Sequence, residues 1–165
     1  MLTLHRTNVT DAQILKSIRL RALKDSPTAF ASTYEKESQL TDEDWIKRAK
    51  ERDDGIRSIG YLAFDGDRPC GLAGGYFPDH RPIVYLVSMW VEPQARRQGV
   101  GQLLVDAVYQ WATQRGAQEV LLEVTTINHA AITFYERIGF KRTGKVSPYP
   151  NDPALEEIEM SKPIG

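Results

Sequence analysis

Ile83-Val84-Tyr85-Leu86-Val87-Ser88-Met89-Trp90-Val91 runs without a charge, breaks at Glu92-Pro93, and continues Gln94-Ala95-Arg96-Arg97-Gln98-Gly99-Val100-Gly101. An unbroken apolar run of this length reads as a strand covered on both faces. Beyond Gly101, Leu103, Leu104, Ala107, Val108, Trp111 and Ala112 recur at helical spacing and predict a long helix ending at Gly116. A buried strand thus feeds a basic, glycine-bearing turn that opens a helix. The first N–H groups of a helix have no partner inside it, and the helix dipole adds partial positive charge there, so such a turn suits a phosphorylated ligand. Gly99 and Gly101 let a pyrophosphate approach the main chain. The plainer alternative is a strand-to-helix turn that needs a positive φ, with solvated arginines beside it. No Gly-Lys-Ser/Thr follows, so the turn is not a Walker loop, and the third glycine of the dinucleotide fingerprint is missing.

A second pattern lies downstream: Asn128-x-x-Ala131-x-x-Phe134-Tyr135-x-x-x-Gly139-Phe140. Together with Val91-x-Pro93-x-x-Arg96-x-x-Gly99-x-Gly101, it resembles the GNAT (Gcn5-related N-acetyltransferase) family. Leu122-Glu123-Val124 followed by Asn128 also resembles the members that acetylate ribosomal-protein N-termini. The resemblance implies a fold in which two central parallel strands, here Ile83–Val91 and Glu119–Thr125, splay into a V that receives acetyl-coenzyme A. It further implies that Arg96, Arg97, Gln98, Gly99, Val100, Gly101 and Gln102 wrap the pyrophosphate. The main chain around Met89, Trp90 and Val91 would hold the pantetheine arm. Asn128 would contact the coenzyme, although capping a helix explains that residue equally well.

Composition sets the frame. The chain has 165 residues, enough for one domain with a sizeable core, taken as 1–165. Its net charge of −1 argues against a nucleic-acid partner. Cys70 is the only cysteine, which excludes an internal disulfide and suits a reducing compartment. His5 and Arg6 interrupt any leader-like apolar run, and no stretch is long enough to span a bilayer. The expectation is a cytoplasmic protein with no membrane partner. His5, His80 and His129 are scattered without metal-ligand spacing, so no metal is expected.

The remaining elements fall into place around the central strand. Leu2 to Arg6 reads as a first strand, and Thr10 or Asp11 caps a helix whose stripe is Ile14, Leu15, Ile18 and Ala22. Lys16, Arg19 and Arg21 fall outside that stripe. Thr41 opens a second helix with Trp45, Ile46 and Ala49 inward and Lys47, Arg48 and Lys50 solvated. Ile59–Phe64 and Cys70–Phe77 pair through the Asp65-Gly66-Asp67 turn. A strand starts at Phe140, Ser147–Pro153 reads as a proline-rich loop, and Leu155–Met160 as a last strand. The fold class is therefore α/β (α+β): one mixed, mostly antiparallel sheet of six or seven strands with helices on both faces.

Acetyl transfer to an amine needs a neutral nucleophile, a donor for the developing oxyanion and a proton for the departing thiolate. The resemblance assigns the last task to Tyr135, in a direct ternary-complex reaction. Glu123, flanked by apolar residues on a central strand, is the candidate base, since burial would raise its pKa. A salt-bridged structural carboxylate is the alternative, with ordered water relaying the proton. Phe30 and Tyr34 are candidate acceptor-binding residues, and Tyr149–Pro153 a further piece of that wall. The acceptor is a small-molecule amine or a protein or peptide amine, and homodimers are common in such folds. Competing readings are a non-catalytic acyl-coenzyme A sensor and an enzyme using another acyl donor.

Overall fold

A computed structural model describes residues 1–165. Seven strands form one sheet in the order β1-β2-β3-β4-β5-β7-β6. They are β1 (Leu2–Arg6), β2 (Ser58–Asp65), β3 (Arg68–Tyr76), β4 (Ile83–Val91), β5 (Glu119–Thr125), β6 (Lys141–Tyr149) and β7 (Asp152–Pro163). All neighbours are antiparallel except β4 and β5, which run parallel. Five helices cover the faces: α1 (Ala12–Asp25), α2 (Tyr34–Glu37), α3 (Asp42–Arg52), α4 (Val100–Gln114) and α5 (His129–Arg137).

The two faces carry separate cores. On one, Ile18, Leu23, Trp45 and Ala49 of α1 and α3 pack on Leu62, Leu72 and Trp90. On the other, Leu104, Val108 and Ile132 of α4 and α5 pack on Ile59, Val84, Val120 and Met160. β4 supplies Val84 and Leu86 to one core and Trp90 to the other; the register slip between Val87 and Trp90 reverses the strict alternation of faces. Burying side chains of this size stabilises the fold by roughly 1.5–3 kcal/mol each.

Two departures from strict pairing shape the site. The β4–β5 pairing covers only Ile83↔Glu119, Val84↔Val120 and Tyr85↔Leu121, so beyond Tyr85 the strands part. The register of β3 against β4 also slips between Leu72 and Gly74, and Ser88 sits at that bulge with φ 56°. A left-handed conformation is uncommon outside glycine, asparagine and aspartate, so the bulge is imposed by its surroundings.

Several local expectations are corrected. Residues 147–149 are strand: Pro148 pairs with Glu156, and the chain turns only at Pro150-Asn151. β6 is the outermost strand, and an edge strand tolerates proline because its missing N–H faces solvent. The first helix is led by Asn8, whose side chain caps a short 3-10 turn, and Asp11 completes that capping box. In α4 the inward face includes Val100 and Val105, whereas Leu103 is exposed; Ile46 of α3 is exposed too. Arg19 and Arg48 are not free solvated charges, because both bind the buried carboxylate of Glu37.

Candidate active site

The parting of β4 and β5 leaves a cavity of about 380 Å³ that threads the sheet. Leu86 to Met89 form one wall and Leu122 to Thr125 the other. Asn128, Ala131 and Tyr135 of the α5 region line the cavity on the α4/α5 side. On the opposite side it is lined by Arg19, Thr28 to Ala31, Tyr76, Tyr85, Tyr149, Pro150 and Glu157.

The turn before α4 is built as an amide cradle. Arg97 and Gly99 are left-handed, at φ 65° and 86°. The main-chain N–H groups from Arg97 through Gln102 donate no hydrogen bond of normal geometry within the protein, and no side chain caps the helix. Such a run of outward N–H groups at a helix start favours an anion. A Cβ on Gly99 would meet nothing, so glycine is required there by φ alone. Gly101 is different: a Cβ would come within 3.1 Å of Phe134 and 3.2 Å of Met89.

The basic side chains of this turn do less than expected. Arg96 Nε donates to the Val91 carbonyl at 2.8 Å, and its terminal nitrogen binds Asp25 at 2.8 Å. Trp90 Nε1 donates to the same Asp25 carboxylate at 3.0 Å. These hydrogen bonds, with those from Ser26 and Arg96, hold the Asp25 carboxyl below its usual range despite partial desolvation. Arg96 and Trp90 therefore tie the turn to the C-terminus of α1, and neither side chain lines the cavity. Arg97 and Gln98 are exposed.

Tyr135 lines the cavity with its ring held against Phe134 and Phe140, at centroid distances of 5.3 and 5.7 Å. Burial raises its pKa well above the phenol range, and its hydroxyl makes no hydrogen bond within the protein. It is a protonated donor with an uncommitted proton. Asn128 accepts from the Ala131 N–H at 3.3 Å, so it caps α5 while also lining the cavity.

Glu123 reaches the cavity but is not sealed among apolar neighbours. It is exposed, because the parted strands open its side of β5. The carboxyl with the raised pKa is Glu157 on β7, pushed to about 7 by burial, by a hydrogen bond to Glu123 and by repulsion from that carboxylate. Glu157 was not singled out from the sequence. Its alternation with buried Ile158 and Met160 was visible, but its partner is fixed by register: Glu157 lies opposite Thr125, next to Glu123.

Phe30 is buried and lines the cavity. Tyr34 does not; it sits exposed at the start of α2, with Lys24 Nζ 5.0 Å from its ring centroid. The Phe30 segment is tied to the β6–β7 turn. Tyr149 Oη donates to the carbonyls of Phe30 and Pro27, and Asn151 donates to those of Phe30 and Ser32, both at 3.0 Å. Ser88, Tyr76, Tyr85 and Arg19 complete the lining and were also missed, since nothing in their spacing announces a shared cavity.

The profile of the acetyltransferase (GNAT) family matches residues 20–140, and the chain belongs to that family. Human N-acetyltransferase 8 is 40% identical over 92 residues, 53% of this chain and 40% of that protein. N-alpha-acetyltransferase 30 of Schizosaccharomyces pombe is 34% identical over 94 residues, 55% of this chain and 63% of that protein. The matched part thus spans less than two thirds of these relatives' own length. The PaiA N-acetyltransferase of Thermoplasma acidophilum, solved with coenzyme A, has the same fold: TM-score 0.79, 14% identity, 99% of both chains. No helix is long and apolar enough to cross a membrane.

Proposed function

We propose that this chain transfers an acetyl group from acetyl-coenzyme A to an amine by direct attack in a ternary complex. The observation that carries this reading is the single cavity through the sheet, with an amide cradle at the start of α4 beside it and a free phenol and a carboxylate pair inside it.

The cradle from Arg97 to Gln102 holds the pyrophosphate through main-chain amides, with Gly99 and Gly101 allowing close approach. The pantetheine arm lies along the free side of β4 near Met89. The thioester then reaches the parted strands, where main-chain N–H groups beside the Ser88 bulge meet the carbonyl oxygen. The acceptor enters from the side walled by Phe30 and Tyr149. Its ammonium gives a proton to the carboxylates at Glu123 and Glu157, and Glu157, with a pKa pushed to about 7, is matched to that task. The neutral amine attacks the thioester carbon. As the tetrahedral intermediate collapses, the C–S bond breaks, Tyr135 protonates the departing thiolate, and the extra proton on the nitrogen returns to the Tyr135 phenolate through solvent. The coenzyme fits the residues present: donors without partners line the turn, and space opens in front of them.

Thermal unfolding with acetyl-coenzyme A, coenzyme A or ATP tests the first half. A ligand at a hundred times its dissociation constant adds roughly 2.7 kcal/mol of stability, which raises Tm by a few degrees. Thiol release across an amine panel tests the second. No shift with either coenzyme form would remove the cradle from the reading. A shift without thiol release from any amine would leave a binding module in place of an enzyme.

A further inference from the structure

The acceptor side of the cavity is lined by two chemically opposite sets of side chains. We infer that the acceptor is an amine that also carries a carboxylate, an amino acid. This inference rests on the acyl-transfer reading above.

One set carries acceptors and negative charge: the carboxylate of Glu123, and that of Glu157 when it ionises. The other set offers donors and positive charge. Arg19, which lines the cavity, shares the Glu37 carboxylate with Arg48, and Arg52 lies close to both guanidinium groups. Arg19 binds both oxygens of Glu37 at 3.0 Å, and Arg48 binds one at 2.8 Å. Arg52 forms no ion pair; it donates to Ser88 Oγ at 3.1 Å. Glu51, the other acid near Arg52, is exposed. Desolvation, then repulsion from Arg19 and Arg48, pushes the Arg52 pKa down to about 10. The cluster holds more positive charge than Glu37 neutralises.

Ser88 carries that polarity into the cavity. Its hydroxyl accepts from Arg19 at 3.0 Å and from Arg52 at 3.1 Å. A hydroxyl has two acceptor sites and one proton, so both acceptor sites are occupied and only the proton remains. That proton has no acceptor within the protein. Arg19 likewise commits three of its N–H groups, two to Glu37 and one to Ser88, and has others left over. Phe30 lies over the face of this guanidinium, 4.6 Å from its centre to the ring centroid, and leaves the edge for hydrogen bonding.

A ligand matched to both sets has an ammonium at the glutamates and a carboxylate at Ser88 and Arg19. Its side chain would lie along Tyr76, Tyr85 and Phe30. A neutral-tailed amine would leave the Ser88 and Arg19 donors desolvated and unmet, which binding sites discriminate against strongly. A diamine would bring a second cation against the arginine cluster.

Calorimetry on the full chain saturated with coenzyme A tests this without turnover. The probes are matched sets of amino acid, its amide and its decarboxylated amine, built on phenylalanine, leucine and methionine. In at least one set the amino acid should bind ten times or more tighter than its amide and its amine. Ser88→Gly removes the hydroxyl and suits the left-handed φ, so the bulge survives. It should cut the amino-acid preference at least fivefold with coenzyme A affinity unchanged. Amides or amines binding as well as the acids, or no set binding at all, would overturn the inference; so would equal weakening of all three by Ser88→Gly. Carboxylate-dependent binding with no thiol release would uphold the dipolar site and overturn only the acyl-transfer reading.

Discussion

Glu123 on β5 and Glu157 on β7 bring two carboxyl groups together diagonally across neighbouring antiparallel strands: Glu159 pairs with Glu123, and Glu157 pairs with Thr125 on the same face. Two carboxyls this close resist joint ionisation, and together with burial that sets the Glu157 pKa at about 7. The kcat/KM of the free enzyme should therefore rise with pH to a plateau, with a midpoint near 7. In Glu157→Gln the acid limb should move down by about one unit or more. An unmoved limb would separate Glu157 from the proton transfer.

The same pair makes stability pH-dependent in a defined direction. The Glu157 carboxyl has an ordinary pKa of 4.5 in the unfolded chain and about 7 when folded, so the folded state holds the proton more tightly. Stability is thus lost as pH rises through that window, and the loss is complete above about 7. Glu157→Gln cannot titrate. The Tm of the variant minus that of the natural protein should be more positive at pH 8 than at pH 4.5. A difference constant across pH would mean that Glu157 is not strained by its neighbour.

Tyr135→Phe keeps the ring packed on Phe134 and Phe140 and deletes only the hydroxyl. Since that hydroxyl bonds to nothing in the protein, stability should change little. Positioned acids contribute roughly a hundredfold to ten-thousandfold, so turnover should fall at least about tenfold, with acetyl-coenzyme A affinity nearly intact. Thiol release under saturating coenzyme decides it, and unchanged turnover would remove Tyr135 from the mechanism.

Much of this arrangement can be read from sequence, and what cannot has a physical reason. The apolar run into Gly99 and Gly101 announces β4, the turn and α4, because strand burial and left-handed backbone leave marks on local composition. Tyr135 is reachable through its motif spacing. Glu157 is not, because which carboxyl lies diagonally across from Glu123 depends on the β5–β7 register, a property of the paired strands and not of either sequence stretch alone. The helical stripes of α1 and α3 identify apolar faces but not what the polar flanks find, so Arg19, Arg48 and Glu37 look like unrelated surface charges until the helices pack. The proline-bearing stretch at 147–153 reads as a loop because its edge position, which excuses Pro148, is a property of the whole sheet.

The two glycines of the cradle should respond differently. Gly99→Ala has room for its methyl but places alanine at φ 86°, a strain of roughly 1–2 kcal/mol. It should lower Tm modestly and weaken coenzyme binding as the turn relaxes. Gly101→Val forces atoms against Phe134 and Met89, which border the path of the pantetheine arm. It should abolish coenzyme binding while the domain stays folded, as circular dichroism and calorimetry would show. Coenzyme binding that survives both substitutions would place the pyrophosphate elsewhere.

Tyr149 tests whether the acceptor wall is held from outside. Its hydroxyl fastens the Pro27 and Phe30 carbonyls, and with Asn151 it joins the β6–β7 turn to the segment before α2. Tyr149→Phe retains the buried ring but loosens that segment, which Asn151 then holds alone through the Phe30 and Ser32 carbonyls. The cradle and Tyr135 lie on the other side of the sheet and are untouched. The expected result is a KM for the amine raised several-fold, with the dissociation constant of acetyl-coenzyme A unchanged and kcat reduced less than KM rises. Stability should drop by about 1 kcal/mol for the lost hydrogen bonding. A rise in coenzyme KM instead would show that this wall supports the wrong half of the cavity for an acceptor, and would move the entry of the amine to another face.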